Sequence, residues 1–424
     1  MACLQDTQAV KSVKTVDIKE CLLFLIQKRI IWNFLKTWKK KKNNTHRFYI
    51  ESIEIYKTYV FIITLQGVTF MIDISDILAK YDTNDLTIAT VCSHSSLQLF
   101  HGAKQEGFHT IGIVVGEERR KFYDAFPLGK PDEFLMVDDY KQILDLTGEL
   151  QDKNTIVIPH GSFVEYLGAD RFLTLELPTF GNRAVLQWES DRNMERKWLE
   201  AAGLTMPREI TDPRKIKKPV IVKYHGAKGG RGFFIAKTYE EFKKRIQENK
   251  EYAIQEFVMG TRYYLHYFYS PLQQDAYKLS KGSLQLLSMD RRDETTIDEV
   301  QRLGSIAELE EIGIHPTFVV TGNIPIVIRE SLLPKVFIMG EQVVEESLKL
   351  FGGIIGSFCL ETVVTEELEF KVFEISARIV AGTNPYIGGS PYSDLIQPNL
   401  STGRRIAQEI HYATKQNKLE AILS

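Results

Sequence analysis

The sequence predicts an α/β protein in which a parallel sheet comes first and a mixed α+β region with antiparallel strands follows. Three observations carry this. From Ile72 to Ile158, short β-branched runs alternate with helix-like apolar spacing, the order that folds into a parallel sheet. Residues 219–237 (PVIVKYHGAKGGRGFFIAK) read as strand, glycine-rich loop, strand. Residues 357–364 and 370–378 read as two antiparallel strands joined by the turn 365–369.

Composition bounds the possibilities. With 424 residues, 44% hydrophobic and 25% charged, the chain suits a globular protein of two or three domains. A net charge of −2 argues against a general nucleic-acid or membrane-surface binder. Cys3, Cys21, Cys92 and Cys359 show no metal or redox spacing, which predicts a reducing, cytoplasmic setting without disulfides. The apolar stretch 21–35 is broken by Gln27, Lys28 and Arg29, so no membrane span is expected, and no secretory signal is visible. Residues 1–70 carry ten Lys and two Arg against two Asp and three Glu, a formal +7 that leaves −9 for the remainder. This segment reads either as a basic arm or as upstream sequence outside the fold. The second is preferred, with Met71 as the initiator, because Met71 directly precedes the regular helix and strand pattern.

In chain order, a helix over 73–81 and a strand over 86–91 lead into CSHSS at 92–96, and a helix over 97–105 follows. Free N–H groups at such a turn attract anions, although serines and a histidine there also suit plain capping. Strands over 109–115 and 134–137, a helix over 138–146 and a strand over 155–158 complete the parallel unit. The last strand ends in Pro159-His160-Gly161-Ser162, a second polar loop where open α/β sheets place ligands. A helix over 191–202 precedes the glycine-rich hairpin. Its glycines admit close backbone approach to a polyphosphate, and Lys223, Lys228 and Arg231 add charge; the pattern equally suits an ordinary hairpin with a solvated basic rim. A phosphate loop of the kind that opens a helix is excluded, because this loop joins two strands and no GK[ST] follows.

A helix over 239–248 and a strand over 253–258 follow. That strand reads as a nucleotide hinge offering backbone at 256–258 to an adenine edge, or as a simple edge strand. An aromatic strand spans 263–269, and 290–294 (DRRDE) reads as a charged, solvated loop. Glu361 and Glu374 lie in neighbouring strands among apolar residues, so both are expected to be semi-buried and to need counter-charge, which magnesium bridging phosphates would supply. A structural Glu–Arg pair is the alternative. Strand alternation places Glu374, Ser376 and Arg378 on one face.

Taken together, this order of features resembles the ATP-grasp superfamily. TVCSHSSLQ (90–98), GAKQEGF (102–108), GAKGGRGFFIA (226–236) and FEISARIVAGTN (373–384) are similar to the archaeal family of 5-formaminoimidazole-4-carboxamide ribonucleotide synthetases, over residues 71–424. The resemblance implies a Rossmann-like pre-ATP-grasp domain over 71–175 and an ATP-grasp α+β domain over 176–424, with a glycine-rich lid subdomain at about 208–260. It implies formylation of 5-aminoimidazole-4-carboxamide ribonucleotide (AICAR) with ATP and formate through formyl phosphate, in purine biosynthesis. It also implies Mg2+ or Mn2+ as cofactor, small-molecule partners only and a homo-oligomer. Carried over residue by residue, AICAR contacts fall on His94, Ser95, Ser162 and Asn323. ATP contacts fall on Lys223, Gly229, Gly230, Gln255, Glu256, Phe257, Val258 and Glu294. The metal ligands are Glu361 and Glu374, and Arg378 with Lys223 stabilises the reacting phosphate. Two departures stand out: Cys92 replaces the glycine usual in the Gly-Ser-His turn, predicting a tighter pocket, and Glu374-Ile-Ser376 replaces the common Glu-x-Asn. A ligase for another carboxylate or ribonucleotide, and a non-catalytic nucleotide-binding regulator, are the rival functions.

Overall fold

The computed structural model describes residues 72–224, 232–247, 249–303 and 317–424. The extension 1–70 and the loop residues 225–231, including Gly229 and Gly230, lie outside the described residues. Residues 71–424 form one unit.

Helix α1 (Ile74–Leu78) precedes β1 (Thr87–Val91), α2 (Ser96–Gln105), β2 (His109–Val115), α3 (Glu117–Asp124), β3 (Glu133–Val137), α4 (Thr147–Asp152) and β4 (Thr155–Val157). The strands form a parallel sheet in the order β3-β2-β1-β4. β1 is buried along its whole length, as a central strand covered on both faces must be. The helix expected over 138–146 is a single 3₁₀ turn, Tyr140–Leu144, capped by Asp139 and Gln142.

After α5 (Ala169–Leu173), α6 (Val185–Ser190) and α7 (Arg192–Ala201), the strands β5 (Val220–Tyr224), β6 (Phe233–Ala236) and β7 (Tyr252–Glu256) form a separate antiparallel sheet ordered β6-β5-β7, with α8 (Tyr239–Arg245) against it. Its core is its own: Val220, Val222, Phe234, Phe242 and Ile254 are buried together. This is the hairpin the glycine-rich stretch predicts.

The large sheet is antiparallel. It contains β8 (Thr261–Ser270), β9 (Tyr277–Lys278), β10 (Ser283–Glu294), β11 (Val320–Pro325), β12 (Gly356–Val364) and β13 (Phe370–Ser376), ordered β11-β10-β8-β12-β13 with β9 beside β10. The charged segment 290–294, expected as a solvated loop, instead continues β10 between β8 and β11. Alternation explains it: Asp290 is fully buried and Arg292 half-buried, while Arg291 and Asp293 point to solvent.

Helix α9 (Ile297–Leu303) follows β10, and two longer helices complete the fold: α10 (Leu333–Phe351) and α11 (Thr402–Lys415). α10 lays Gly340 onto the sheet, where a Cβ would stand 2.7 Å from Leu284 and 2.9 Å from Tyr267. α11 crosses α2 at glycine contacts, since a Cβ on Gly102 would meet the Arg404 backbone at 2.2 Å and one on Gly403 the Gln98 carbonyl at 2.3 Å. The glycine that opens GAKQEGF is thus a packing glycine. Among the described residues no helix is long and apolar enough to cross a membrane, and Cys92 and Cys359 are free and buried.

Candidate active site

Register builds the centre of the site. Asp290 pairs with Tyr264, Tyr264 with Glu361 and Glu361 with Glu374, a row across four strands. Directly opposed residues of antiparallel strands share a face, so these side chains stand together. Arg292 lies two residues beyond Asp290 and faces Asn323 on β11. Its Nη2 donates to Glu361 Oε1 at 2.7 Å, and its guanidinium carbon sits 3.7 Å from the Tyr264 ring centre. One guanidinium therefore balances two carboxylates. Repulsion from Glu361 first, and burial second, push the Glu374 carboxyl up to about 7, against the pull of Arg292 and Lys223. Glu374 nonetheless keeps part of its residue surface open to solvent, while Glu361 is buried.

Lys223 projects from β5 toward the same place, its Nζ 5.9 Å from the Phe373 ring centre. Burial lowers its pKa, while Glu374 pulls the other way. The opposed carboxylate oxygens of the pair are of the kind that bind a divalent cation. Among the described residues no group of three or more His, Cys, Asp or Glu is placed to hold a metal. Such an ion would complete its shell with ligand oxygens, as magnesium on phosphates does.

Two carboxylates that the sequence reading missed hold the outer edge of β13. Glu195, on α7, accepts the Ile375 N–H at 2.7 Å, and Glu189, on α6, accepts the Ala377 N–H at 2.8 Å. Burial raises both; for Glu195 burial and then Glu374 push it to about 9. Glu189 also binds Arg378, Nη2 to Oε1 at 2.8 Å, while Arg378 Nε is buried without a partner. The alternation expected to carry Arg378 in strand ends earlier, because β13 stops at Ser376. A parallel bridge between His160 and Ile379 brings Arg378 to the His-Gly-Ser loop instead.

That loop meets the CSHSS turn. His94 adopts a left-handed backbone (φ 55°), and its ring stacks on His160 at 5.4 Å. His160 donates from Nε2 to the Val91 carbonyl at 3.0 Å and accepts from the Ser162 N–H at Nδ1, which fixes its neutral tautomer. Burial holds His160 down at about 4, and burial, then His160, Arg378 and Arg292 hold His94 well below the usual histidine range. Gly161 leaves no room between its neighbours: a Cβ there would lie 3.1 Å from His94 Nε2 and 3.4 Å from Arg378 Nη2. The Thr383–Asn384 end of FEISARIVAGTN is tied to the same turn. Asn384 Nδ2 donates to the His94 carbonyl at 3.2 Å, and Gln98 Nε2 donates to Asn384 Oδ1 at 2.9 Å.

Two expectations are corrected here. Ser95, expected to touch AICAR, is fully buried with its hydroxyl on His94 Nδ1 at 2.7 Å, so it orients His94 rather than facing the cleft. Cys92 does not tighten the pocket. Its side chain turns into a core cluster with Phe100, Val114 and Tyr123, with Sγ against Gly112.

The remaining candidates fall nearby. Ser162 is buried beside His160. Asn323 donates from Nδ2 to Asp290 Oδ2 at 2.8 Å. Glu294 pairs with Arg262 at 2.9 Å at the end of β10. In the hinge, Gln255 bridges to Glu209, the Glu256 N–H donates to the Arg208 carbonyl at 2.8 Å and the Phe257 N–H to the Pro219 carbonyl at 3.1 Å. Those two amides are thus spent within the protein. Arg292 could be sensed from sequence only by reading DRRDE as a strand; Glu189 and Glu195 lie in no motif, and the Asp191 cap of α7 points only to the helix that carries Glu195.

Comparison with known proteins gives the family and the fold. Residues 88–210 match a family described as a protein of unknown function (DUF1246), and residues 236–424 a domain of unknown function (DUF1297). A 5-formaminoimidazole-4-carboxamide-1-(beta)-D-ribofuranosyl 5'-monophosphate synthetase of Methanococcoides burtonii is 66% identical over 351 residues, 83% of this chain and 98% of that protein. The crystal structure of an IMP biosynthesis protein PurP from Thermococcus kodakaraensis superimposes with a TM-score of 0.63 at 31% identity, covering 80% of this chain and 100% of that one. An N5-carboxyaminoimidazole synthetase from Staphylococcus aureus, complexed with ADP, reaches 0.53 at 13% identity over 76% of each chain, a likeness of fold alone. The fold is ATP-grasp. The chain belongs to the family of 5-formaminoimidazole-4-carboxamide ribonucleotide synthetases.

Proposed function

We propose that this protein is an ATP- and formate-dependent ligase that formylates the 5-amine of AICAR through formyl phosphate, in purine biosynthesis. The observation that carries the reading is the opposed pair Glu361–Glu374, with the Arg292 guanidinium bonded to Glu361 and both Arg292 and Lys223 acting on the Glu374 carboxyl. A charge-deficient carboxylate pair beside cationic side chains suits transfer of the terminal phosphoryl group of ATP to a small carboxylate. A formate oxygen attacks that phosphorus and ADP leaves. The AICAR amine then attacks the formyl carbon, a C–N bond forms, the C–O bond to phosphate breaks, and the amine proton departs with phosphate. Magnesium, with manganese as substitute, would sit on Glu361 and Glu374 and supply neutralisation of the phosphate charge.

The chain's own residues do the rest. Lys223 binds phosphate oxygens, and residues 255–258 hold the adenine, with Glu294 near the ribose. Arg378, oriented by Glu189, stabilises the acyl phosphate. His94 and Ser162 hold the ribonucleotide together with Asn323. A neutral His94 offers one donor and one acceptor, and Ser95 on Nδ1 fixes which nitrogen faces the cleft. The test is ADP release with magnesium and ATP, with and without formate and AICAR. Release that requires both is expected; release indifferent to formate would overturn the reading.

A further inference from the structure

Asn323 is held from behind by a buried chain. Asp290, fully buried, accepts from His266 Nε2 at 2.7 Å through Oδ1 and from Asn323 Nδ2 at 2.8 Å through Oδ2. Gly382 closes the back of this chain, because a Cβ there would stand 2.3 Å from Asp290 Oδ1 and 2.8 Å from His266 Cε1. Two residues later, Asn384 grips the His94 carbonyl. Asp290 is therefore packed beneath the turn that also fixes the ribonucleotide corner. A carboxylate only accepts hydrogen bonds, so it dictates which end of the Asn323 amide faces it. The NH2 end is bound to Asp290 and the carbonyl oxygen turns away. Among the described residues that oxygen has no donor, and it is not sealed from solvent. Asn323 also stands opposite Arg292, which is bonded to Glu361, so Asn323 shares the sheet face that carries the carboxylate pair where phosphoryl and acyl transfer are proposed.

We propose that Asp290 is a positioning residue that fixes Asn323 as a hydrogen-bond acceptor, and that this acceptor takes an N–H of the attacking amine. The inference rests on the proposed AICAR-formylating function. An aryl amine donating one N–H to Asn323 Oδ1 is oriented about its C–N bond, so that its lone pair can be aimed at the formyl carbon. As the new C–N bond forms and the C–O bond to phosphate breaks, Asn323 takes no proton; the proton leaves with phosphate. A ribonucleotide with an acceptor, or nothing, at that position leaves the oxygen unpaired and is selected against.

The experiment compares binding of AICAR and of the ribonucleotide lacking the 5-amine, alongside steady-state KM values, in the full-length protein. The wild type is expected to bind the deaminated analogue at least about tenfold more weakly than AICAR, and Asn323→Ala to shrink that gap to about threefold or less. Asn323→Asp, which sets a carboxylate against Asp290, is expected to raise the AICAR KM about tenfold or more. Adding Asp290→Asn restores complementary polarity, because the amide introduced on β10 can accept from His266 and donate to the carboxylate introduced on β11. The double variant should return the AICAR KM to within about threefold of wild type, with the formate KM unchanged. A merely structural role for Asp290 would not produce this reciprocal rescue. If Asn323→Ala leaves AICAR binding unchanged, the assignment of Asn323 to the ribonucleotide pocket falls. Equal weakening of AICAR and the analogue overturns the amine contact, and failure of the double variant to rescue overturns the role of Asp290. Should Asn323→Asp fail to fold, a folded double variant reads the same complementarity by its melting curve, and an unfolded one overturns it; the Asn323→Ala comparison stands independently.

Discussion

Glu374 gives the site a pH dependence whose sign is fixed by its surroundings. Its carboxyl sits at about 7, above the ordinary carboxylate range, chiefly because Glu361 faces it. A cation needs the ionised form, so affinity for magnesium–ATP should rise as pH climbs from about 6 to about 8, measured by titration calorimetry. Glu361→Gln removes the largest raising cause and should move the midpoint down. Arg292→Gln removes a lowering cause and should move it up. In the metal-free fold the linkage runs the other way: the proton retained by Glu374 stabilises the fold below the ordinary carboxylate range, and that contribution is lost as pH rises through about 7. Glu374→Gln should flatten the binding profile and cost at least about tenfold in kcat, as expected of a residue supporting metal electrostatics. A smaller loss would remove Glu374 from the metal site.

At the level of elements, the crossing of α2 and α11 is sensitive to a single methyl group. Gly102→Ala would set a Cβ 2.2 Å from the Arg404 nitrogen, backbone against backbone, and should destabilise by about 1–3 kcal/mol, seen as a lower Tm. Gly116→Ala is no control, since its φ is 79°, but Gly148→Ala is, having open space around its Cβ and an ordinary φ. The parallel strands, the glycine-rich hairpin and the β12–β13 pair were legible because each is a local pattern of burial bounded by turn residues. The helices α10 and α11 carry amphipathic spacing but no functional motif, so they are less legible than the carboxylate strands beside them. Glu361 and Glu374 could be found by two-residue alternation, and His94 by its strand-to-helix turn. Arg292 was hidden inside a charge run that resembles a solvated loop. Glu189 and Glu195 act across 188 and 180 residues of sequence on backbone amides, a relation that no local pattern encodes.

At the scale of the molecule, every described candidate residue belongs to the unit 71–424. A chain beginning at Met71 should therefore match the full chain in formate- and AICAR-dependent ADP release; a loss of more than about threefold in kcat/KM would give residues 1–70 a part in the reaction. The grip of α6 and α7 on the outer edge of β13 has another consequence. The Ile375 and Ala377 amides are secured by two glutamate side chains instead of a neighbouring strand. Deuterium uptake at those two positions thus becomes a clock on the helices: solvent labels them when Glu195 or Glu189 lets go, while strand-paired amides of β8 and β12 remain dark until the sheet itself opens.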